Sequence, residues 1–298
     1  MSLVLAGLAD RLLPVTGFKD SLDRCQPVRQ RQPEIMEMIS MSEFPLPNAS
    51  QDLTGQVALV TGATSGLGWR FAQVLASAGA RVALTGRREA NLQALHKEIT
   101  DSGGSSAWFA LDMTDAENIV QTVTDVEDAL GPISILVNNA GIPDAQLAMQ
   151  MEVELIDRVL STNLRGPFIL SCEVGRRMKA HKIPGRIVSI SSSSAFNYTG
   201  MGAALYSTTK AAISRMTETL AVEWARFNIN VNAIAPGAFS SEMMDGMLER
   251  VGDITEFFPR KRLGQPAQLD STLLFLCSPA SECVTGTIVR VDDGQDPR

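Results

Sequence analysis

The chain has 298 residues, of which 45% are hydrophobic and 20% are charged, which is enough apolar content for one sizeable core. Its formal net charge of −7 excludes the broad basic surface that nucleic acid or an anionic membrane would require, and no apolar run reaches the roughly 18 residues that span a bilayer. Four cysteines without a CxxC pair and only two histidines, both among polar residues, predict a cytoplasmic protein with reduced thiols and no metal site.

Residues 1–52 differ in character from the rest of the chain. They contain five of the 14 prolines and lack the strand–helix rhythm that follows. The apolar run 3–13 has no basic segment before it, which argues against a secretory signal. We expect a poorly ordered N-terminal extension; alternatively, translation starts at Met36, Met38 or Met41.

From residue 53 onward, short apolar runs alternate with longer helical stretches. Each run is continuously apolar, which is typical of strands that are buried on both faces, and their alternation with helices predicts a parallel sheet covered on each side. Strands are predicted at Val57–Thr61, Arg81–Thr85, Ser106–Ala110, Ile133–Val137, Arg186–Ile190, Ile229–Ala235 and Thr287–Val291. Helices are predicted at about 67–78, 89–101, 115–129, 151–180, 205–227 and 266–277. We therefore expect one doubly wound α/β domain of the Rossmann type over 53–298, with seven parallel strands.

A glycine-rich loop joins the first strand to the first helix. The loop reads Thr61-Gly62-Ala63-Thr64-Ser65-Gly66-Leu67-Gly68. Glycines let a backbone turn tightly and approach a pyrophosphate, and the following helix offers its N-terminal amides. Because the loop opens a βαβ unit, it predicts dinucleotide binding, although the spacing is GxxxGxG rather than the commoner GxGxxG.

This variant loop resembles that of the short-chain dehydrogenase/reductase family, and further motifs follow in the order that this family has. They are Asn138-Asn139-Ala140-Gly141 after the fourth strand, Asn163 in the long helix, a serine cluster after the fifth strand, Tyr206-Ser207-Thr208-Thr209-Lys210, and Pro236-Gly237 after the sixth strand. The resemblance covers about 53–294. It implies an NAD(P)-dependent oxidoreductase that moves a hydride reversibly between nicotinamide C4 and a carbonyl or alcohol carbon.

The residues at the end of the second strand indicate which nicotinamide cofactor is bound. NAD-selective folds place a carboxylate there for the ribose 2′-hydroxyl, whereas an arginine accommodates the 2′-phosphate of NADP. Here Gly86 stands in the place of the carboxylate and Arg87 follows, so NADP(H) is favoured and NAD(H) remains open. The resemblance implies that Asp112 contacts the adenine, unless it is a helix cap, and that Asn139 braces the sheet. The expected cofactor-binding residues are Gly62, Thr64, Ser65, Gly66, Leu67, Gly68, Arg87, Asp112, Met113, Asn139, Ala140, Gly141, Tyr206, Lys210, Pro236 and Gly237.

Tyr206 and Lys210 are the expected acid–base pair. Their spacing of four puts them on one helix face. A lysine ammonium about 4 Å away, at an effective dielectric constant near 20, supplies the roughly 4 kcal/mol that would lower the tyrosine pKa from about 10 to about 7, while desolvation opposes it. By resemblance, Lys210 also holds the nicotinamide ribose.

Two further catalytic residues are implied by the resemblance. The strand motif points to Ser192 as the serine that polarises the substrate carbonyl, whereas counting back from Tyr206 points to Ser193. Asn163 resembles the family residue at a helix kink that holds a water between the lysine and solvent. No metal is needed in this mechanism, because hydroxyl groups polarise the carbonyl.

The segment 238–263 is expected to lie over a small or acyl-type substrate. Its methionines and phenylalanines are consistent either with an apolar lid or with helix core contacts, and the basic run Arg260–Arg262 either attracts an acidic substrate or is a solvated charge run. By resemblance, two long helices and the last strand build a closed homotetramer. The alternative to an enzyme is a catalytically inactive dinucleotide-binding sensor or interaction protein, although such a protein would be expected to lack Tyr206 or Lys210.

Overall fold

The computed structural model describes residues 47–198, 200 and 202–296. Most of the predicted extension, with the alternative start sites Met36, Met38 and Met41, lies outside the described residues. The chain divides into two units at residue 48, and the second unit, Ala49–Arg298, carries all the helices and strands described below. Within the described residues no helix is long and apolar enough to cross a membrane.

Seven parallel strands form one sheet in the order β3-β2-β1-β4-β5-β6-β7, which confirms the predicted fold class. Each lies within two residues of the apolar run that predicted it. The strands are β1 (Val57–Thr61), β2 (Arg81–Gly86), β3 (Ser105–Ala110), β4 (Ile135–Asn138), β5 (Gly185–Ile190), β6 (Ile229–Pro236) and β7 (Ile288–Val291). The chain reverses its direction of winding between β1 and β4, and a crevice opens there at the carboxyl ends of the strands.

Helices cover both faces of the sheet. The α-helices are α1 (Gly66–Ser77), α2 (Glu89–Asp101), α3 (Ala116–Leu130), α4 (Val153–Leu160), α5 (Gly166–His181), α6 (Ala204–Trp224), α7 (Glu242–Val251) and α8 (Asp270–Cys277). One buried apolar cluster joins α1, α2 and α8 to the sheet, and a second joins α3, α5 and α6 to the opposite face. This two-sided burial is why the strand sequences are continuously apolar.

The structure divides the single helix predicted over 151–180. A π-helical turn, Ser161–Arg165, separates α4 from α5, and Pro167, which has no backbone N–H to donate, follows in the first turn of α5. The sequence stays helical throughout, so its periodicity does not reveal the change of winding. π-helical turns are often found at functional sites, and this one contains Asn163.

Candidate active site

Two cavities meet in the crevice at the carboxyl ends of the strands. The first, which we call the loop cavity, measures about 480 Å³ and is bordered by the glycine loop and the ends of β2 and β4. The second, which we call the lid cavity, measures about 880 Å³ and lies under residues 236–258. Tyr206 lines both cavities. Molecules bound in the two cavities therefore reach the Tyr206 side chain from two different sides.

The glycine loop turns sharply at the mouth of the loop cavity. Gly62 has a positive φ of 68°, and a Cβ atom there would lie 2.9 Å from the Cα of Ala140. A Cβ atom on Gly68 would collide with the Gly62 carbonyl oxygen. Both positions therefore require glycine, but for different reasons: Gly62 turns the loop along the cavity wall, whereas Gly68 lets α1 pack beneath the loop.

Most of the predicted cofactor-binding residues line the loop cavity. They are Gly62, Thr64, Ser65, Gly66, Leu67, Arg87, Asp112, Met113, Asn139, Ala140, Gly141, Tyr206 and Lys210. Pro236 and Gly237 border the lid cavity instead, and Gly68 lines neither. A cavity that is lined by the N-terminus of α1 and by a buried lysine fits a dinucleotide, because amide donors and cations suit its phosphates.

Two arginines, Arg87 and Arg88, line the loop cavity, whereas the sequence pointed only to Arg87. Arg87 is exposed, and it is close enough to lower the pKa of Asp112. Arg88 folds back onto the glycine loop, where its Nη2 donates to Ser65 Oγ at 2.7 Å and to Thr64 Oγ1 at 2.9 Å. A Cβ atom on Gly86 would lie 2.6 Å from the Thr64 methyl group. The position that holds a carboxylate in NAD-selective folds thus has no space for one here.

Asp112 and Asn139 hold the cavity walls in place. Asp112 Oδ1 accepts hydrogen bonds from the Thr114 amide at 2.9 Å and the Thr114 hydroxyl at 2.8 Å, and these bonds lower the Asp112 pKa. The cap of α3 is Asp115, not Asp112. Asn139 Nδ2 donates to the Thr61 carbonyl at 2.9 Å, so its side chain ties the end of β4 to the end of β1, as expected of a bracing residue.

The phenol of Tyr206 is protonated at neutral pH in this structure. Burial raises the pKa of Tyr206 to about 12, the hydrogen-bonded Ser192 hydroxyl opposes that shift, and the negative charge of Asp144 adds to it. Desolvation therefore outweighs the lowering to about 7 that was expected from Lys210. A protonated phenol is suited to donate a proton to a substrate oxygen, which is the reductive direction.

Lys210 lies one helical turn beyond Tyr206 on α6 and is almost fully buried. Its ammonium donates to the Ile190 carbonyl at 2.7 Å and stands 5.5 Å from the centroid of the Tyr206 ring. Burial lowers the pKa of Lys210 to about 8. At neutral pH the lysine is thus still mostly charged, with the tyrosine ring on one side and the loop cavity on the other.

The hydroxyl of Ser192 is hydrogen-bonded to Tyr206 and also accepts the Ser194 amide at 3.1 Å. Ser193 borders the lid cavity as well, but the described residues give it no such bond to Tyr206. Of the two serines left open by the sequence, Ser192 is therefore the one that interacts with the Tyr206 phenol. Ser191 instead bonds the Lys210 carbonyl at 2.9 Å.

Asn163 is buried in the π-helical turn and is satisfied by backbone. Its Oδ1 accepts the Ile142 amide at 2.8 Å, and its Nδ2 donates to the Ile142 carbonyl at 2.9 Å. A Cβ atom on Gly141 would lie 3.5 Å from both Asn163 Oδ1 and Lys210 Nζ. Asn163 and Lys210 therefore both lie beside Gly141, and the expected water between the lysine and solvent stays a prediction.

Sequence reasoning missed two residues that shape the site. Asp144 is buried, and its Oδ2 accepts the amides of Leu205 at 2.9 Å and Tyr206 at 3.1 Å; it therefore caps α6 directly at the predicted catalytic tyrosine. Ser241 lines both cavities and caps α7 through the Met244 amide. The only local signal for either residue was its type, because aspartate and serine often cap the N-termini of helices. Asp144, however, lies far before α6 in the sequence, so its type alone could not assign it to that helix.

Helix α7 covers the lid cavity. None of its residues is buried in the core, and Met243, Met244 and Met247 line the cavity. This arrangement agrees with the apolar-lid interpretation of the methionines rather than with core contacts. The basic run is paired: Arg260 and Arg262 contact Asp293 at 2.9 and 2.8 Å, and Lys261 contacts Glu256 at 3.2 Å.

Comparison with known proteins agrees with the geometry. Residues 56–251 match the profile of the short chain dehydrogenases. The chain is 37% identical over 245 residues to 3-oxoacyl-acyl-carrier-protein reductase of Aquifex aeolicus, with 81% of this chain and 98% of the relative covered. It is 34% identical to gluconate 5-dehydrogenase of Gluconobacter oxydans, covering 81% and 95%.

Solved structures give the same result. A short-chain type dehydrogenase/reductase from Mycobacterium marinum superposes with a TM-score of 0.80 at 32% identity, covering 82% of this chain and 97% of the other. A variant of actinorhodin polyketide ketoreductase solved with NADPH superposes with a TM-score of 0.78 at 32% identity, covering 83% and 98%.

Proposed function

Because the chain belongs to the short-chain dehydrogenase family, and is thus an oxidoreductase of CH–OH and C=O groups that uses a nicotinamide dinucleotide, we propose that it uses NADP(H) and acts on bulky apolar ketones and the matching alcohols. The observation that carries this proposal is the position of Tyr206 at the junction of the loop cavity and the lid cavity. The nicotinamide supplies or accepts the hydride, and the residues described above handle the proton.

Three side chains act on the substrate oxygen or on the proton that it receives: Tyr206, Ser192 and Lys210. The Tyr206 phenol, with a pKa of about 12, gives its proton to the oxygen during reduction and regains it afterwards. The Ser192 hydroxyl, bonded to the same phenol, holds the oxygen in line. The Lys210 ammonium stabilises the phenolate that remains after the transfer, because an opposite charge in a buried site favours the ionised form. Asn163 keeps the backbone beside Lys210 in place.

Three features support NADP(H) over NAD(H). Gly86 has no space for a ribose-binding carboxylate, because the Thr64 methyl group occupies the position of its side chain. Arg87 lies on the wall of the loop cavity and forms no hydrogen bond or ion pair with another described residue. An arginine that is not otherwise engaged suits a phosphate, which it binds through charge-assisted hydrogen bonds.

The lid cavity supports a bulky apolar substrate. At about 880 Å³ it lies toward the upper end of the roughly 300–1,000 Å³ typical of sites for drug-sized ligands. Apolar side chains of α7 and the following turn form much of its wall; they are Met243, Met244, Met247, Val251, Ile254, Phe257 and Phe258. A hydroxyl group of a sugar acid that lies against this apolar part of the wall without a partner would cost about 1–3 kcal/mol.

An acidic carrier protein is the weaker candidate as substrate donor. The basic run that would attract it is engaged with Asp293 and Glu256. The inactive-sensor alternative is not favoured, since the catalytic set is complete and gathered at one place.

The experiment is a substrate panel run with NADPH and with NADH. We expect NADPH oxidation with a bicyclic ketone or a long-chain ketone, and much slower turnover with a keto sugar acid or a short 3-oxoacyl thioester. Faster turnover of the keto sugar acid would overturn the substrate class, and preference for NADH would overturn the cofactor.

We also propose that the protein assembles as a homotetramer. Phe168 on α5 is 46% exposed and Val222 on α6 is 82% exposed, so both long helices carry apolar groups at the surface. Strand β7 is the last in the sheet order, and an unpaired edge strand favours association. Alanines give α6 a face on which a second copy of the helix can pack closely.

A further inference from the structure

One ion pair connects the lid to the wall of the loop cavity. Arg88 Nη1 donates to both carboxylate oxygens of Glu242, at 2.9 and 3.0 Å. Arg88 is anchored on its other side by Thr64 and Ser65 of the glycine loop. Glu242 is the first residue of α7, 154 positions away along the chain.

Both partners stand where ligands are expected. Arg88 lines the loop cavity, and Glu242 lines both the loop cavity and the lid cavity. The next residue, Met243, belongs to the wall of the lid cavity. Breaking the ion pair therefore removes a contact between the first turn of the lid helix and the glycine loop, and forming it restores that contact.

The side chain of Arg88 is held on both sides. Its Nε and Nη2 donate to Thr64 and Ser65, and its Nη1 donates to both carboxylate oxygens of Glu242. The Ser65 hydroxyl and Arg88 lower the pKa of Glu242, so its carboxylate is ionised at neutral pH. An additional anion that approaches Nη1 of Arg88 meets the negative charge of Glu242 and competes with it, whereas the exposed Arg87 offers its donors directly.

We propose that Glu242 is a specificity-determining residue that competes with the 2′-phosphate of NADP(H) for Arg88, and that this competition couples the choice of cofactor to the lid. NADP(H) loosens α7 by taking Arg88, whereas NAD(H), which has no 2′-phosphate, leaves the pair closed. The coupling is reciprocal, as any linkage between two binding events must be. This inference rests on the proposed use of a nicotinamide dinucleotide.

The first test measures cofactor affinity in the absence of substrate. Glu242→Gln keeps the shape of the side chain but removes its charge. The dissociation constant for NADPH, measured by nicotinamide fluorescence, should fall about fivefold, the scale of one exposed ion pair, while that for NADH changes less than about twofold. The matched control is Glu256→Gln, which removes the same charge from the same segment beside Lys261 and should alter neither constant.

The second test measures the lid directly. Trypsin cleaves after Arg250 and after the basic residues 260–262, all of which follow the first turn of α7. In the unmodified protein, cleavage there should be faster with saturating NADPH than with saturating NADH. In the Glu242→Gln protein the two rates should be equal, because the pair is already broken.

The outcomes separate this inference from the proposed function. Weaker NADPH binding by Glu242→Gln, or an equal change for both cofactors, would refute the competition while leaving the dehydrogenase assignment intact. Cleavage rates that do not depend on the cofactor in the unmodified protein would refute the coupling. Failure of the unmodified protein to bind either cofactor would refute the proposed function itself.

Discussion

Replacing Tyr206 with phenylalanine removes a single hydroxyl from the junction of the two cavities. That hydroxyl is bonded to Ser192, and Lys210 Nζ stands 5.5 Å from the ring centroid, so the ring and its neighbours keep their places. Proton transfer by a positioned side chain contributes about 10²–10⁴-fold to rate. We expect kcat to fall by that factor and the dissociation constant for NADPH to change by less than about twofold, because the phenol acts on the substrate oxygen and not on the cofactor phosphates.

The stability cost of the same substitution can also be estimated. The Ser192 hydroxyl loses a partner, which costs about 1–3 kcal/mol when a buried group is left unpaired, and it keeps the Ser194 amide, so the lower end applies. For a domain of this size, about 1 kcal/mol lowers Tm by roughly 2–4 °C. The folded fraction at assay temperature is then unchanged, and lost turnover reports chemistry rather than unfolding.

The assay follows NADPH absorbance with a ketone identified in the substrate panel, alongside fluorescence titration of NADPH. The matched control is Tyr198→Phe, since the chain has only two tyrosines. Tyr198 also borders the lid cavity, but it is 44% exposed, and we expect kcat to be nearly unchanged. Near-normal turnover by Tyr206→Phe, or loss of NADPH binding with turnover retained, would refute the assignment of Tyr206 as proton donor.

Three further predictions concern the cofactor, the pH profile and assembly. Arg87→Ala should weaken NADPH binding about tenfold or more while sparing NADH, because a charge-assisted bond to the 2′-phosphate is lost; equal effects in the two titrations would identify Arg87 as a surface residue only. The kcat/KM for ketone reduction should be flat at neutral pH and fall above about pH 8, where Lys210 loses its charge, while Tyr206 stays protonated; a profile that declines from neutral pH would indicate a tyrosine of lowered pKa. Light scattering of a protein truncated to begin at Met41 should give a tetramer mass; a monomer for both lengths would contradict the assembly, and loss of the tetramer on truncation alone would show that the extension is needed.

The strands were predictable because both faces of the sheet are covered. Residues such as Leu59 and Val137 are fully buried, and continuous burial leaves a continuous apolar run in the sequence. The lid helix α7 was not predicted with defined ends, since it packs over a cavity and its methionines face empty space rather than core. The π-helical turn at Asn163 was also invisible, because it requires no special residue type.

In the site, motif positions were predictable but long-range contacts were not. The glycine loop and the Tyr206–Lys210 pair follow from spacing along one element. The Arg88–Glu242 ion pair and the Asp144 cap of α6 depend on how distant segments fold together, and nothing local distinguishes those side chains from ordinary surface charges. The pKa of Tyr206 was misjudged for a related reason: the lysine can be counted from the sequence, but the depth of burial cannot.

The contact between Gly86 and Thr64 also limits how a ribose-binding carboxylate could be introduced at the end of β2 during evolution or engineering. An aspartate at position 86 would collide with the Thr64 methyl group, and that side chain cannot simply rotate, because Arg88 holds its hydroxyl by two hydrogen bonds. The two positions are therefore epistatic: the effect of the double substitution differs from the sum of the effects of the two single substitutions. A path to such a carboxylate runs through Thr64→Ser first, which removes the methyl group and keeps the hydroxyl, and only then through Gly86→Asp. In the reverse order, the intermediate loses the packing of the loop before it gains a ribose ligand.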